Sequence, residues 1–430
     1  MPSIAPRTLK RTVLVLLLAI PVAGGVAMKA TGQFWRVKQV VSGILAHFAP
    51  PNVRWQTAAP TTEGLNPTAL NSMRDGLAKR GTTALLVIRG GRLVYEWYSI
   101  LSGPNQRHYT AALAKAVIGS MVLQADLTAG HLRLNDPAWK YIPQWKSDPV
   151  RSRIRIRDLA FHTSGIADVD FFSGEAGKLK GWKADYYNHP GARFNLAIDQ
   201  VPILFPPGTR YRYSGIGYYA LADAITASLR DGADRDIRSL YRDRVMRPLG
   251  IPEAAWQLSY GTAYHADGMT LYACGSGGSV TARAEARIGE LLLKHGQWNG
   301  RTVLNPYWVR EMLSGTRALP YTPDPNGKPQ PVPSGGWWLN TTDAWPALPR
   351  DAIAGEGAGD QIVLIIPSLD MVVVRQGSAL AQQKDQDADH FWATTSRWIF
   401  QPLMRAVVGP STEGNGTTVQ SATAPLHLPE

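Results

Sequence analysis

Apolar and polar positions alternate in a way that predicts a β-hairpin early in the chain. Thr83–Arg89 and Arg92–Tyr98 are both strand-like, and the glycine pair between them is typical of a tight turn. Apolar strand patterns return only much later, at Ile362–Ile366 and Met371–Arg375. We therefore expect an α/β layer that draws its strands from both ends of the chain.

Between these strands the pattern is mainly helical. Ala111–Ala129 is rich in Ala, Leu, Val and Met, and Gly130 is typical of the residue that follows a helix. Further helices are expected at Gly217–Leu229, Asp236–Met246, Ala282–His295, Pro306–Ser314 and Phe391–Phe400. This order predicts an all-helical insertion in the α/β layer, and a cleft between two such parts is a natural ligand site.

Three other stretches are not helical in pattern. Arginine and isoleucine alternate over Arg151–Arg157, which predicts a strand or extended edge with one charged face. Residues 317–334 carry many prolines and are expected to form a surface loop. The stretch 409–430 is rich in Gly, Ser, Thr and Pro, and we expect a disordered tail.

The N-terminus has the pattern of a targeting segment. Basic residues Arg7, Lys10 and Arg11 precede Thr12–Met28, which is apolar and uncharged. This length suits a signal peptide and is marginal for a spanning helix. We expect residues 1–30 to be a signal peptide or an uncleaved membrane anchor, and residues 31–408 to fold in the periplasm or outside the cell.

Composition narrows the class of protein. Of 430 residues, 44% are hydrophobic and 18% charged, which is globular and excludes a disordered chain or a multi-span membrane protein. The single cysteine, Cys274, excludes an intrachain disulfide and a Cys-rich zinc module. The net charge of +12 forms no basic stripe with stacking aromatics, so no nucleic-acid partner is expected. The nine histidines lack metal-ligand spacing, and we expect no metal or cofactor.

Three segments carry candidate chemistry. Lys115, in an apolar helix, is either a desolvated base or a lysine that reaches water from a surface helix. Tyr213, after a Pro-Pro-Gly turn, either shuttles a proton or packs its loop. The glycine-rich segment Gly355–Gln361 precedes a strand, where backbone N–H groups either bind an oxyanion or form a plain turn.

Taken together, these segments resemble the serine β-lactamase-like family, which includes class C β-lactamases, D-stereospecific peptidases and family VIII esterases. The resemblance runs from about Thr82 to Gln401, with segments in the family's order. The segments are Leu134–Pro143, Ile156–Gly165, Phe205–Ala220, Arg247–Ile251, Gly275–Arg283, Trp298–Leu304 and Gly359–Val374. The resemblance implies an α/β (α+β) fold of the β-lactamase/transpeptidase type: an antiparallel sheet flanked by helices, with a helical subdomain roughly over residues 125–300.

The resemblance also implies roles for particular positions. In this family the serine of an S-x-x-K motif is acylated, the lysine takes its proton, and a tyrosine relays that proton to the leaving group. The matching positions are Ala112 for the nucleophile, Lys115 for the base and Tyr213 for the relay. The N–H groups of residue 112 and Gln361 would form the oxyanion hole. The substrate-binding positions implied are Ala358, Gly359, Asp360 and, as a cleft wall, Trp338.

The departures from the family pattern matter more than the matches. Ala112 has no hydroxyl group and cannot form an acyl-enzyme, and neither Thr110 nor Ser120 shares the helix face of Lys115. Gly215 replaces a common asparagine, and Ala358 replaces a common lysine or histidine, which argues against a true β-lactamase. We also expect Glu356 and Asp360 to disfavour anionic substrates, and His162 to fix a loop rather than act as a base.

Two explanations for Ala112 stay open. One is a deliberate Ser→Ala substitution in an ester or amide hydrolase, and the presence of both Lys115 and Tyr213 favours it. The other is a natural pseudoenzyme that binds a peptide or ester-like ligand in the cell envelope. A small molecule or short peptide is the expected partner, with membrane contact only through residues 1–30. Ester, amide, D-peptide and β-lactam substrates, and the oligomeric state, are left open.

Overall fold

A computed structural model describes residues 47–169, 179–316, 319, 327–381 and 391–408. The predicted leader at 1–30 and the predicted tail at 409–430 lie outside these residues. Most of the predicted proline-rich loop at 317–334 also lies outside them.

The strands are named in chain order. They are β1 (Thr82–Arg89), β2 (Arg92–Tyr98), β3 (Arg107–Tyr109), β4 (Trp256–Gln257), β5 (Tyr264–Ala266), β6 (Met269–Leu271), β7 (Ser279–Thr281), β8 (Gln297–Trp298), β9 (Arg301–Thr302), β10 (Val332–Ser334), β11 (Trp337–Leu339), β12 (Ile353–Gly357), β13 (Gln361–Ile366) and β14 (Met371–Gly377). The main sheet is antiparallel, with strand order β10-β11-β12-β13-β14-β1-β2. Its strands therefore come from both ends of the chain, as the sequence predicts.

Together with the short strands β3 to β9, helices make up much of the chain outside the main sheet. They are α1 (Pro67–Ala78), α2 (Ala111–Ala129), α3 (Ile156–Ala160), α4 (Trp182–Asn188), α5 (Gly217–Ser228), α6 (Ile237–Leu240, continued by Tyr241–Met246), α7 (Ala282–Leu293), α8 (Pro306–Leu313) and α9 (Gln401–Ala406, preceded by Phe391–Thr395 and Ser396–Phe400). Short helical turns also occur, among them Arg193–Asn195 and Leu196–Gln200. The predicted helices are confirmed to within two residues at their ends, except that the last one continues past Phe400 to Ala406. Gly130 ends α2 in the left-handed conformation.

The two faces of the sheet belong to two hydrophobic clusters, because successive strand residues point to opposite sides. On one face Leu86 and Val372 belong to the larger cluster, which includes α2 and α7. On the other face Leu85 and Val373 pack in a smaller cluster with residues of α1 and α9. Glycine at 289 lets α7 lie close to β14, since a Cβ there would be 2.6 Å from Val372 Cγ1.

Helix α2 runs through the larger cluster. It is the one helix in the described part of the chain that is long and apolar enough to cross a membrane, and 83% of its most apolar window is buried in the protein. That burial identifies α2 as a core helix, and it places Lys115 in the interior rather than at the surface.

Two sequence predictions need correction. Arg151–Arg157 is not a strand: it forms a short helical turn, Arg151–Arg153, and then the beginning of α3. The alternation arises because Ile154 and Ile156 are both buried, and the Asp158 carboxylate accepts a hydrogen bond from the Arg155 N–H at 2.9 Å, which starts the helix. The end of the predicted loop at 317–334 is the edge strand β10.

Candidate active site

The beginning of α2 places positions 112 and 115 in one pocket. Both residues line it, as expected for side chains three positions apart on a helix. The helix is anchored at its N-terminal end by Thr110, whose N–H donates to the Gly278 carbonyl oxygen at 2.8 Å and whose hydroxyl donates to the same atom at 3.0 Å. The N–H groups of the first turn lie where a helix carries partial positive charge, which suits a developing anion.

Lys115 is buried, with 4% of its surface exposed. Its ammonium group donates a hydrogen bond to the Gly275 carbonyl oxygen at 2.8 Å. The nitrogen also lies 4.6 Å from the centre of the Tyr213 ring and 5.3 Å from that of Tyr218. A lysine held inside the protein by a carbonyl and two aromatic rings is the arrangement of a functional amine rather than of a surface side chain.

Two side chains hold the loop that carries Tyr213. The Ser214 N–H donates to Nδ1 of His162 at 3.1 Å, and the Gly215 N–H donates to the Asp168 carboxylate at 2.7 Å. Burial raises the pKa of Asp168, while the hydrogen bond from the Gly215 N–H and the Lys115 charge oppose that change. On the other side of the tyrosine, the Arg212 N–H donates to the His162 carbonyl oxygen at 2.9 Å, so the loop is fixed both before and after Tyr213.

His162 combines a structural role with a place in the pocket wall. Its ring stacks on Tyr213 with centroids 4.7 Å apart. Burial and the nearby Lys115 charge lower the pKa of His162 well below its ordinary value of 6.5, which keeps the ring neutral. A neutral ring that accepts at Nδ1 from Ser214 fixes the loop, which is the role the sequence predicts.

The pocket lies between the sheet and the helical part of the chain. It is narrow, with a cavity volume of about 20 Å³. Its lining residues are Ala112, Lys115, Phe161, His162, Tyr211, Tyr213, Pro333, Ser334, Gly335, Gly336, Trp337, Trp338 and Glu356. The structure therefore brings together four of the predicted site residues: Ala112, Lys115, Tyr213 and Trp338.

The other four predicted residues, Ala358, Gly359, Asp360 and Gln361, lie outside this pocket. Ala358, Gly359 and Asp360 form the turn between β12 and β13, and Ala358 is exposed to solvent. The Asp360 carboxylate accepts from the Leu380 N–H at 2.7 Å, away from the pocket lining. The residue of this segment that does line the pocket is Glu356 on β12.

The same turn is held from behind by a buried arginine. Arg375 on β14 donates to the carbonyl oxygens of Gly359, at 2.5 Å, and Asp360, at 2.9 Å. The side-chain amide of Gln361 donates to the Gly377 carbonyl oxygen at 2.5 Å. These bonds fix the turn, and the use of the Gln361 N–H as an oxyanion donor stays a prediction.

Strand β12 approaches α2 through glycines. A Cβ at Gly357 would lie 2.8 Å from the Leu113 nitrogen and would also clash with the Thr110 carbonyl oxygen, and a Cβ at Gly355 would lie 2.8 Å from the Ala116 Cβ. The glycines thus allow the strand to pass directly beside the turn that carries position 112. Glu356 lies between the two glycines in sequence, so its side chain is on the opposite face of β12 from theirs.

The sequence predicts Glu356 only as a charge that disfavours anionic substrates, and it does not predict Tyr211 or Phe161 as site residues. The signal for Glu356 was the alternation Gly-Glu-Gly along β12, which separates its side chain from the glycines that contact α2. Tyr211 and Phe161 lie in segments that carry the family resemblance, beside Tyr213 and His162, but their own side chains gave no signal for a pocket. Among the described residues, no group of three or more His, Cys, Asp or Glu side chains could hold a metal ion.

Comparison with known proteins agrees with this geometry. The family model described as Beta-lactamase matches residues 71–393, which is most of the chain. The chain belongs to the beta-lactamase family.

Particular relatives are distant. A 6-aminohexanoate-dimer hydrolase from Paenarthrobacter ureafaciens is 23% identical over 350 residues, which are 79% of this chain and 82% of the relative. A penicillin-binding protein homologue from Caulobacter crescentus shares the fold at a TM-score of 0.57, with 13% identity over 79% of this chain and 98% of the other. A family VIII carboxylesterase matches at a TM-score of 0.56, with 14% identity over 82% of this chain and 99% of the other.

Proposed function

We propose that this chain has the site of a serine ester or amide hydrolase from which the nucleophile is missing. The observation that carries the proposal is the shared pocket of Ala112, Lys115 and Tyr213. The lysine is buried and the tyrosine loop is fixed, so the groups that would serve a serine are in place. The names of relatives, which include a 6-aminohexanoate-dimer hydrolase and a family VIII carboxylesterase, support a hydrolase reaction.

The reaction of such a site with serine at position 112 has two steps. The hydroxyl oxygen attacks the carbonyl carbon of the ester or amide while Lys115 takes the proton. The negative oxygen is bound by the N–H of residue 112 and an N–H from the β12–β13 turn, for which Gln361 is our candidate. Tyr213 passes the proton to the leaving group, and water then hydrolyses the acyl-enzyme.

With alanine at this position the first bond cannot form. Loss of a nucleophile in a hydrolase lowers turnover on the order of a millionfold, whereas substrate binding depends on the rest of the pocket. The chain as it stands is therefore a binding protein with the site of a hydrolase. We favour an inactivated enzyme, because Lys115 and Tyr213 are both retained; a natural pseudoenzyme that binds a peptide or ester-like ligand is the second candidate.

We also propose that the protein acts outside the cytoplasm. The basic and then apolar order of residues 1–30 supports export to the periplasm or the cell exterior, with an anchor in the inner membrane if the segment is kept. Fractionation of cells that express the full chain tests this proposal, and recovery in the cytoplasmic fraction would contradict it.

The proposed reaction is tested by restoring the hydroxyl group. We expect Ala112→Ser to release the aryl alcohol from a short-chain aryl ester, and the chain as given to release none above background. Ala111→Ser is a matched control, because it adds the same hydroxyl one residue away, at a position that does not line the pocket. Equal rates for the two serine variants would contradict the assignment of position 112.

A further inference from the structure

The charge on β12 bears on which ligand the pocket accepts. Apart from Lys115, Glu356 is the only Asp, Glu, Lys or Arg side chain among the described lining residues. Within the described part of the chain the Glu356 carboxyl group makes no hydrogen bond or ion pair, whereas Lys115 is bound to the Gly275 carbonyl oxygen. The nearby Lys115 charge acts on this carboxyl group without forming an ion pair with it, and a largely buried carboxylate with no paired cation or donor is costly.

The walls of the same pocket are aromatic. Five rings line it besides the His162 imidazole: Phe161, Tyr211, Tyr213, Trp337 and Trp338. Aromatic faces attract ammonium groups and offer nothing comparable to a carboxylate.

We propose that the pocket selects amine-bearing substrates, with the Glu356 carboxylate and the aromatic walls binding an ammonium group and rejecting carboxylates. This inference rests on the proposed function, since it names the substrate class of the same site. It also assigns the expected discrimination against anions to Glu356 rather than to Asp360. The Asp360 carboxylate is bound to the Leu380 N–H and lies behind the turn.

The selection depends on pH in a definite direction. Burial raises the pKa of Glu356 to about 7; the Lys115 charge on α2 opposes this rise, and the Asp360 carboxylate in the β12–β13 turn adds to it. His162, which also lines the pocket, stays neutral, because burial and Lys115 lower its pKa. Above that value Glu356 is charged and attracts an ammonium group, and below it the attraction weakens.

The test uses the chain as it exists, which binds ligands without acylation. Three anilides of equal acyl length serve as probes: those of ω-aminovaleric acid, valeric acid and glutaric acid (the monoanilide). At about pH 8.5, where a primary amine is still charged, we expect calorimetry to show the amino ligand binding at least about tenfold tighter than the carboxylate ligand. We expect that ratio to shrink at about pH 5.5, where Glu356 is protonated.

A variant pair assigns the effect to one carboxyl group. Glu356→Gln should bring the three affinities to within about threefold of one another, whereas Asp75→Asn, which removes an exposed carboxylate on α1, should leave the preference unchanged. The pH series on the unaltered chain gives the same information if Glu356→Gln does not fold. Equal affinities, a preference that survives Glu356→Gln, or no measurable binding of any probe would overturn the inference.

The outcome separates this inference from the proposed function. Ester turnover by Ala112→Ser without an amine preference would leave the hydrolase site standing and remove the role of Glu356. An amine preference without ester turnover by Ala112→Ser would support the role of Glu356. It would also favour a natural ligand-binding protein over an inactivated hydrolase.

Discussion

Glu285 on α7 makes the stability of this protein depend on pH in a way that one substitution can remove. The side chain is fully buried beneath the sheet. One carboxyl oxygen accepts a hydrogen bond from the Gln376 amide at 2.9 Å, and the other has no partner among the described residues. Burial raises the pKa of Glu285 from its ordinary value of 4.5 to about 8, and the bond from Gln376 opposes this rise only in part.

The size of the effect follows from linkage between proton binding and folding. The folded state keeps its proton up to about pH 8, whereas the unfolded chain loses it near pH 4.5. The contribution of Glu285 to stability is therefore fully present below pH 4.5 and is lost as pH rises through about 8. Since one pKa unit is worth about 1.36 kcal/mol, the loss amounts to about 5 kcal/mol at most.

Glu285→Gln should remove this pH dependence while keeping the shape of the side chain and the acceptor for Gln376. We expect urea unfolding at about pH 5 to give similar free energies of unfolding for the two proteins, and at about pH 8 to favour the variant by a few kcal/mol. Glu253→Gln, at an exposed position, is the matched control. Parallel pH profiles for Glu285→Gln and the unaltered chain would refute the reasoning.

Three further predictions concern the site and use Ala112→Ser as background, with the rate of labelling by a fluorophosphonate probe as readout. Lys115→Met should lower the rate on the order of a thousandfold, because the proton acceptor is lost; an unchanged rate would exclude Lys115 as the base. Tyr213→Phe should leave labelling within about tenfold but slow the release of amine from an anilide on the order of a hundredfold, since the relay serves the leaving group. Gly357→Ala should lower labelling at least about tenfold and destabilise the fold by about 1–3 kcal/mol in urea unfolding, because its Cβ would lie 2.8 Å from the Leu113 nitrogen.

Local patterns in the sequence were enough to predict four strands of the main sheet and six of the named helices. The hairpin of β1 and β2 and the helix over Ala111–Ala129 follow from residue periodicity and glycine positions, and both are confirmed. The Arg151–Arg157 segment misled, because two buried isoleucines on either side of a helix start produce the same alternation as a strand. The spacing of the apolar residues alone does not distinguish a strand from the start of a helix. The Asp158 carboxylate, which caps the helix, does distinguish them.

The sequence predicted those parts of the site whose residues lie close together along the chain. Positions 112 and 115 share a helix face by spacing alone, and the structure places both in the pocket. The contribution of β12 was not predictable, because it depends on which strand residues contact α2 across the sheet. Gly355 and Gly357 take that contact, so Glu356, and not the turn at Ala358–Asp360, enters the pocket. The aromatic walls are likewise assembled from distant segments.

We propose that position 112 is the nucleophile position of an otherwise complete acyl-transfer site. Intact mass of Ala112→Ser and of the chain as given, after incubation with the same fluorophosphonate probe, tests it most directly. We expect one adduct on the serine variant, located on the peptide that contains residue 112, and none on the chain as given. Absence of the adduct from a folded Ala112→Ser protein, or an adduct at another residue, would contradict it.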